Sequence, residues 1–154
     1  MKICVFSDSH GTPENMIKAV EREDPALCFF LGDGERDARA LEQHFPKLPV
    51  YMVRGNCDLR SAQPQQLFCA VGGVNIFATH GHLYGVKHDP SLSELCRAAE
   101  GADVALYGHT HMTHRESRDG LEILNPGSIG RGIRPSYGLI RTGDGMLQLE
   151  IRYL

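Results

Sequence analysis

The chain has 154 residues, 42% of them hydrophobic and 23% charged, and a formal net charge of −3. A chain of that length suits one domain, residues 1–154, burying about two thirds of its unfolded surface. The charge excludes a general electrostatic pull toward nucleic acid or anionic membrane, and no apolar stretch is long enough to span a bilayer.

The opening run Met1-Lys2-Ile3-Cys4-Val5-Phe6 meets Asp8 too soon to serve as a signal peptide. The five cysteines, Cys4, Cys28, Cys57, Cys69 and Cys96, are odd in number and none sit at metal or redox spacing. Reduced thiols in a cytoplasmic protein are therefore expected. Four of them fall in apolar runs or a predicted helix and read as small core residues, whereas Cys57 lies in a polar cluster.

Residues 2–7 read as a strand. Thr12-Pro13 then supplies an N-cap and a first-turn proline, and Met16, Ile17 and Val20 form the apolar stripe of a helix that Asp24-Pro25 ends. Ala26 to Leu31 is uninterruptedly apolar, as a strand covered on both faces would be. Glu35 to Phe45 carries Ala38, Leu41 and Phe45 on one helical face, and Val50 to Val53 reads as a third buried strand. This β-α-β-α-β order predicts a parallel sheet.

The pattern changes in the second half. Leu67 to Val71 and Val74 to Thr79 flank Gly72-Gly73, a hairpin signal. Ser91 and Glu94 stand at capping-box spacing ahead of a helix that Gly101 stops, and Val104 to Tyr107 is another buried strand. Four further strand-like runs, separated by Asp119-Gly120 and Gly143-Asp144-Gly145, predict antiparallel pairing at the end. The expected fold is α/β, with two mixed sheets packed as a sandwich and helices outside.

Polar clusters with metal-ligand chemistry follow these strands. They are Asp8 and His10 in Ser7-Asp8-Ser9-His10-Gly11, Asp33 in Gly32-Asp33-Gly34, Asn56 in Gly55-Asn56-Cys57-Asp58, His80 in Thr79-His80-Gly81-His82, and His109 with His111 in Gly108-His109-Thr110-His111. Strand ends followed by glycine-bearing loops are where α/β folds build sites, and carboxylate with imidazole suits zinc, manganese or iron. Asp-x-His, Gly-Asp-Gly and Gly-Asn each have an ordinary reading as turns. The His-x-His pairs are more telling: four of the eight histidines fall in two such pairs directly behind strands, where unrelated core histidines would scatter. His44, His88 and His114 read as structural or solvated, with His82 between the two groups.

In this order and spacing the clusters resemble the calcineurin-like metallophosphoesterases, and most of all their small YfcE-like phosphodiesterase branch. The resemblance runs from Ser7-Asp8-Ser9-His10-Gly11 to Asn125-Pro126-Gly127-Ser128. It implies a two-sheet sandwich and two divalent metal ions, Mn2+ in the first instance, with iron, zinc or nickel also compatible. Asp8, His10 and His111 would hold one ion, Asn56, His80 and His109 the other, and Asp33 would bridge them. Asp33, Asn56 and His10 are the candidate catalytic residues. A metal-bridging hydroxide would attack phosphorus in line, with the ions about 3.5–4 Å apart.

The resemblance further implies a small phosphate-ester substrate and a capacity for homo-oligomers, and because the chain has no long insertion that would form a cap, an open, shallow site is expected. It also leaves a competing class, a protein-binding scaffold on the same fold like the metallophosphoesterase-like subunit of retromer, and a third, a sensor that binds without catalysis. One departure stands out. Many members of the superfamily have histidine where this chain has Cys57, which reads here as a packed small residue. Asn125-Pro126-Gly127-Ser128 reads as a tight turn, although the resemblance places it near the ligand loops, where Ser128 would reach a phosphate oxygen. Arg131 and Arg134 stand as substrate contacts or as solvated surface.

Overall fold

The computed structural model describes residues 1–130 and 132–154. One sheet contains β1 (Lys2–Phe6), β2 (Leu27–Phe30), β3 (Val50–Met52), β9 (Ser136–Gly143) and β10 (Met146–Tyr153), in the order β10-β9-β1-β2-β3. The second contains β4 (Gln66–Val71), β5 (Val74–Thr79), β6 (Val104–Leu106), β7 (Thr113–Arg118) and β8 (Leu121–Pro126), in the order β4-β5-β6-β8-β7. Strands β1, β2 and β3 run parallel, as do β5, β6 and β8, and the remaining strands add antiparallel edges. This is the mixed-sheet sandwich expected from the sequence.

Strand periodicity divides the apolar residues among three packing layers. Ile3, Val5, Leu27 and Phe29 point into the space between the sheets and meet Ile76, Ala78, Val104 and Leu106. Their neighbours Cys4, Phe6, Cys28 and Phe30 point the other way, against Met16, Ala19 and Val20 of α1 (Pro13–Glu23) and Ala38 and Leu41 of α2 (Glu35–His44). On the outer face of the second sheet, Phe77, Ala105 and Ile123 pack on Leu95 of the short α3 (Ser93–Ala98). The central strands thus have both faces covered, which is why their sequences are continuously apolar.

Three local expectations are corrected. Residues 50–53 were expected to form a buried strand, but β3 lies at a sheet edge, and its Tyr51 is exposed on one side while stacking on Phe29 at 5.3 Å on the other. The Ser91/Glu94 capping box is absent. Leu92 precedes α3 in a left-handed conformation with φ 52°, and the Asp89 carboxylate instead accepts the backbone N–H groups of Ser91 and Ser93, each at 2.9 Å. A carboxylate with several lone-pair sites satisfies more of these donors than one hydroxyl can. Thr12 likewise precedes α1 without a side-chain cap; its N–H goes to Asp37.

Candidate metal centre

The C-terminal ends of β1, β2, β3, β5 and β6 all lead into the same region, and the loops that follow carry every candidate ligand. Asp8 and His10 follow β1, Asp33 follows β2, Asn56 follows β3, His80 follows β5, and His109 and His111 follow β6. These loops turn sharply. Of nine non-glycine residues with positive φ among the described residues, five are candidate ligands: Asp8, His10, Asp33, His109 and His111. Such backbone costs of order 1–3 kcal/mol per residue and persists where a site requires it.

Close approach of the loops requires glycine. A Cβ on Gly32 would lie 2.4 Å from the backbone nitrogen of Gly55, and one on Gly55 would lie 2.0 Å from Asp33 Oδ1. The Asp33 and Asn56 loops therefore pack backbone against backbone.

Ligand atoms gather into three groups within 4.8 Å: Asp8, His10 and His111; His10, Asp33 and Cys57; and Asp33, His80 and His109. His10 Nε2 stands 3.3 Å from His111 Nε2, and Asp8 Oδ1 stands 3.1 Å from His111 Nε2. On the other side, His80 Nε2 lies 3.0 Å from Asn56 Oδ1, 3.1 Å from His109 Nδ1 and 3.4 Å from Asp33 Oδ2. All seven residues singled out in the sequence come together, with Asp33 in two of the groups.

These contacts fit metal ligation. Asp8 Oδ2 accepts the Ser7 hydroxyl and the His109 N–H, yet Oδ1, fully buried, has no aligned hydrogen-bond donor among the described residues and faces the His111 ring nitrogen at 3.1 Å. A buried carboxylate oxygen left bare is costly unless a cation meets it. His80 Nδ1 is 2.7 Å from the Leu31 carbonyl and donates to it, which aims Nε2 at three lone-pair-bearing atoms. Such a convergence needs a positive charge at its centre, supplied by a proton or a metal ion.

The titration behaviour follows from the same packing. Burial works to raise the Asp33 carboxyl, but the His80 ring and the Cys57 N–H outweigh it and hold the group well below the usual range. Burial works to lower His80, while Asp33 and Asp8 outweigh it and raise it. Burial, then the charge on His80, pushes His109 down to about 4, so its ring is neutral and able to ligate.

Several positioning residues were not read from the sequence. Asp58 accepts the backbone N–H groups of Asp33, Gly34, Glu35 and Gly55 at 2.8, 3.0, 3.1 and 2.9 Å. Asp37 accepts the Ser9 hydroxyl at 2.6 Å and the Gly11 N–H at 2.7 Å, fixing the His10 loop. Its signal was an acidic residue one turn before Leu41, on the apolar face of α2. Asn125 donates to the Gly108 carbonyl and to Thr110 Oγ1, each at 3.0 Å, and so sets the His109–His111 corner.

Cys57 is exposed, so the reading of a packed small residue is overturned; its thiol shares the group of His10 and Asp33, and its N–H donates to Asp33 Oδ1 at 2.8 Å. Ser128 Oγ donates to the Asp8 carbonyl at 2.7 Å, so its hydroxyl holds the turn. Arg134 lies over the Tyr153 ring at 3.8 Å, and Arg131 lies outside the described residues. His82 sits beside the centre, with its ring 5.4 Å from that of His80, while His114 bonds Tyr107 at 2.9 Å.

Comparison with known proteins agrees with this geometry. The calcineurin-like phosphoesterase superfamily domain matches residues 1–145. A probable metallophosphoesterase of Bacillus subtilis, YsnB, is 36% identical over 84% of this chain and 75% of its own. Phosphodiesterase YfcE of Escherichia coli is 31% identical over 91% of this chain and 87% of its own. The crystal structure of a predicted phosphoesterase from Streptococcus pneumoniae superposes with a TM-score of 0.80 at 28% identity, over 99% of this chain and 88% of its own.

Proposed function

The chain belongs to the calcineurin-like phosphoesterase superfamily, and from that premise we propose that it is a metal-dependent phosphodiesterase acting on small phosphate esters in the cytoplasm. The observation that carries this reading is the gathering of seven ligands around Asp33. Two divalent ions, manganese in the first instance, would be held by Asp8, His10 and His111 and by Asn56, His80 and His109, with Asp33 shared. When bound, such ions supply Lewis acidity, lowering the pKa of water and offsetting charge that grows on phosphoryl oxygens.

The chain's own residues supply the frame for that chemistry. Asp33 stays ionised, and Asn56 and the imidazoles bring donor atoms without adding negative charge, so the loaded site remains electropositive toward a phosphate. The Leu31 carbonyl fixes the His80 tautomer, and Asp58 and Asp37 hold the loops in register. Hydroxide attack in line on phosphorus needs no covalent enzyme intermediate. A scaffold would have no use for an intact, mutually supported ligand set, and that weighs against the non-catalytic reading.

The test is hydrolysis of bis-p-nitrophenyl phosphate after chelation and manganese reloading. Asp33→Asn is expected to lower kcat/KM by at least about a hundredfold, the scale on which transition-state charge stabilisation acts. Equal rates for the parent and Asp33→Asn, or full activity in chelator, would remove the proposal.

A further inference from the structure

We infer that the cavity leading away from the metal centre is a subsite for an anionic arm of the phosphodiester, an inference that rests on the reaction proposed above. The cavity measures about 720 Å³, within the range of sites for whole small-molecule ligands. His10, Asp33 and Cys57 of the candidate metal centre line it together with Arg36, Leu59 and Arg60.

Charged groups along it differ in what they already hold. Arg39 is committed to Glu35 and Glu42, at 3.3 and 2.9 Å. The Asp37 and Asp58 carboxylates are committed to backbone N–H groups of the ligand loops. Arg36 and Arg60 are exposed, and neither has an ion-pair partner among the described residues. Two uncommitted guanidiniums, on a cavity that opens onto the reacting centre, match a carboxylate or phosphate on the substrate. Leu59, in the same lining and 88% exposed, offers apolar surface to a carbon framework.

The class is therefore a phosphodiester with at least one alcohol component bearing a second anionic group. The ligand-sized cavity and the net charge of −3 favour a small molecule over a polynucleotide. In the reaction, water oxygen bonds to phosphorus, one P–O bond to an arm breaks, and that arm leaves as the alcohol. A proton is released whenever the alcohol or the new monoester ionises.

Two symmetric diesters test this in the manganese-loaded protein: bis(4-nitrophenyl) phosphate and bis(3-carboxy-4-nitrophenyl) phosphate. Both release a nitrophenol, and only the second has anionic arms, whichever arm enters the cavity. We expect kcat/KM to favour the carboxylated diester about tenfold at low salt, and the ratio to fall to within twofold in Arg36→Gln/Arg60→Gln. A ratio near one in the parent, or a tenfold ratio that survives the double substitution, overturns the subsite. Calorimetric binding of 3-carboxy-4-nitrophenyl phosphate, compared between parent and double variant, reads the subsite without turnover. Tighter binding by the parent with hydrolysis of neither diester overturns the proposed reaction and leaves the anion subsite standing; equal binding overturns the subsite.

Discussion

Asp58 accepts the backbone N–H of Asp33 at 2.8 Å although the two residues follow different strands, β3 and β2. With three more N–H groups on the same carboxylate, one side chain holds the loop of Asp33 against the loop of Asn56. Replacing Asp58 by Ala strands these donors. Stability is expected to fall by about 2–3 kcal/mol in urea unfolding, and manganese affinity by roughly 10–100-fold in calorimetric titration. Unchanged metal affinity would show that the loops keep their register without it.

Metal removal tests the bare Asp8 Oδ1 and the facing imidazoles. Because the folded chain gathers the ligands and the unfolded chain disperses them, an ion present at a hundred times its Kd stabilises by about 2.7 kcal/mol. For a domain of this size that is a rise of roughly 5–10 °C in Tm, measured by calorimetry in manganese against chelator. A Tm that ignores manganese would count against the ligand assignment.

Cys57 lies exposed in the group of His10 and Asp33, where a superfamily histidine would offer a cationic acid to the leaving oxygen. A thiol is a weak acid for that task, so alkyl esters should be hydrolysed far more slowly than aryl esters. The logarithm of kcat/KM should fall steeply with leaving-group pKa, and Cys57→His should flatten the line. A slope near zero in the parent removes the argument.

Away from the site, Tyr137 is fully buried and donates to Glu23 at 2.9 Å. Burial, then that bond, pushes its phenol up to about 12. Between about pH 10 and 12 the unfolded phenol has lost its proton while the folded one keeps it, so raising the pH favours unfolding. Stability should decline by up to about 1.4 kcal/mol per pH unit there, and the Tyr137→Phe variant should decline less steeply. Parallel pH slopes for parent and variant would contradict the assignment.

Much of this molecule was legible in its residue order. Continuous apolar runs such as Leu27–Phe30 announced strands covered on both faces, and Gly72-Gly73 announced a hairpin in which both glycines take positive φ. The candidate site was legible chiefly through the two histidine pairs directly behind strands, whereas Asp8, Asp33 and Asn56 sit in sequences that also read as turns and gained meaning from the order and spacing of all the clusters together. Such signals are short-range: strand period, turn chemistry and the polar breaks that end a buried run.

Tertiary structure alone decided which loops touch. The edge position of β3, the exposure of Cys57, and the anchoring by Asp37, Asp58 and Asn125 depend on residues far apart in sequence. Asp8 and His111 meet only because the sheets pack with the ends of their parallel strands on one side. A hydrogen bond between distant residues leaves no periodic trace in the chain, since its geometry exists only once the apolar layers have packed.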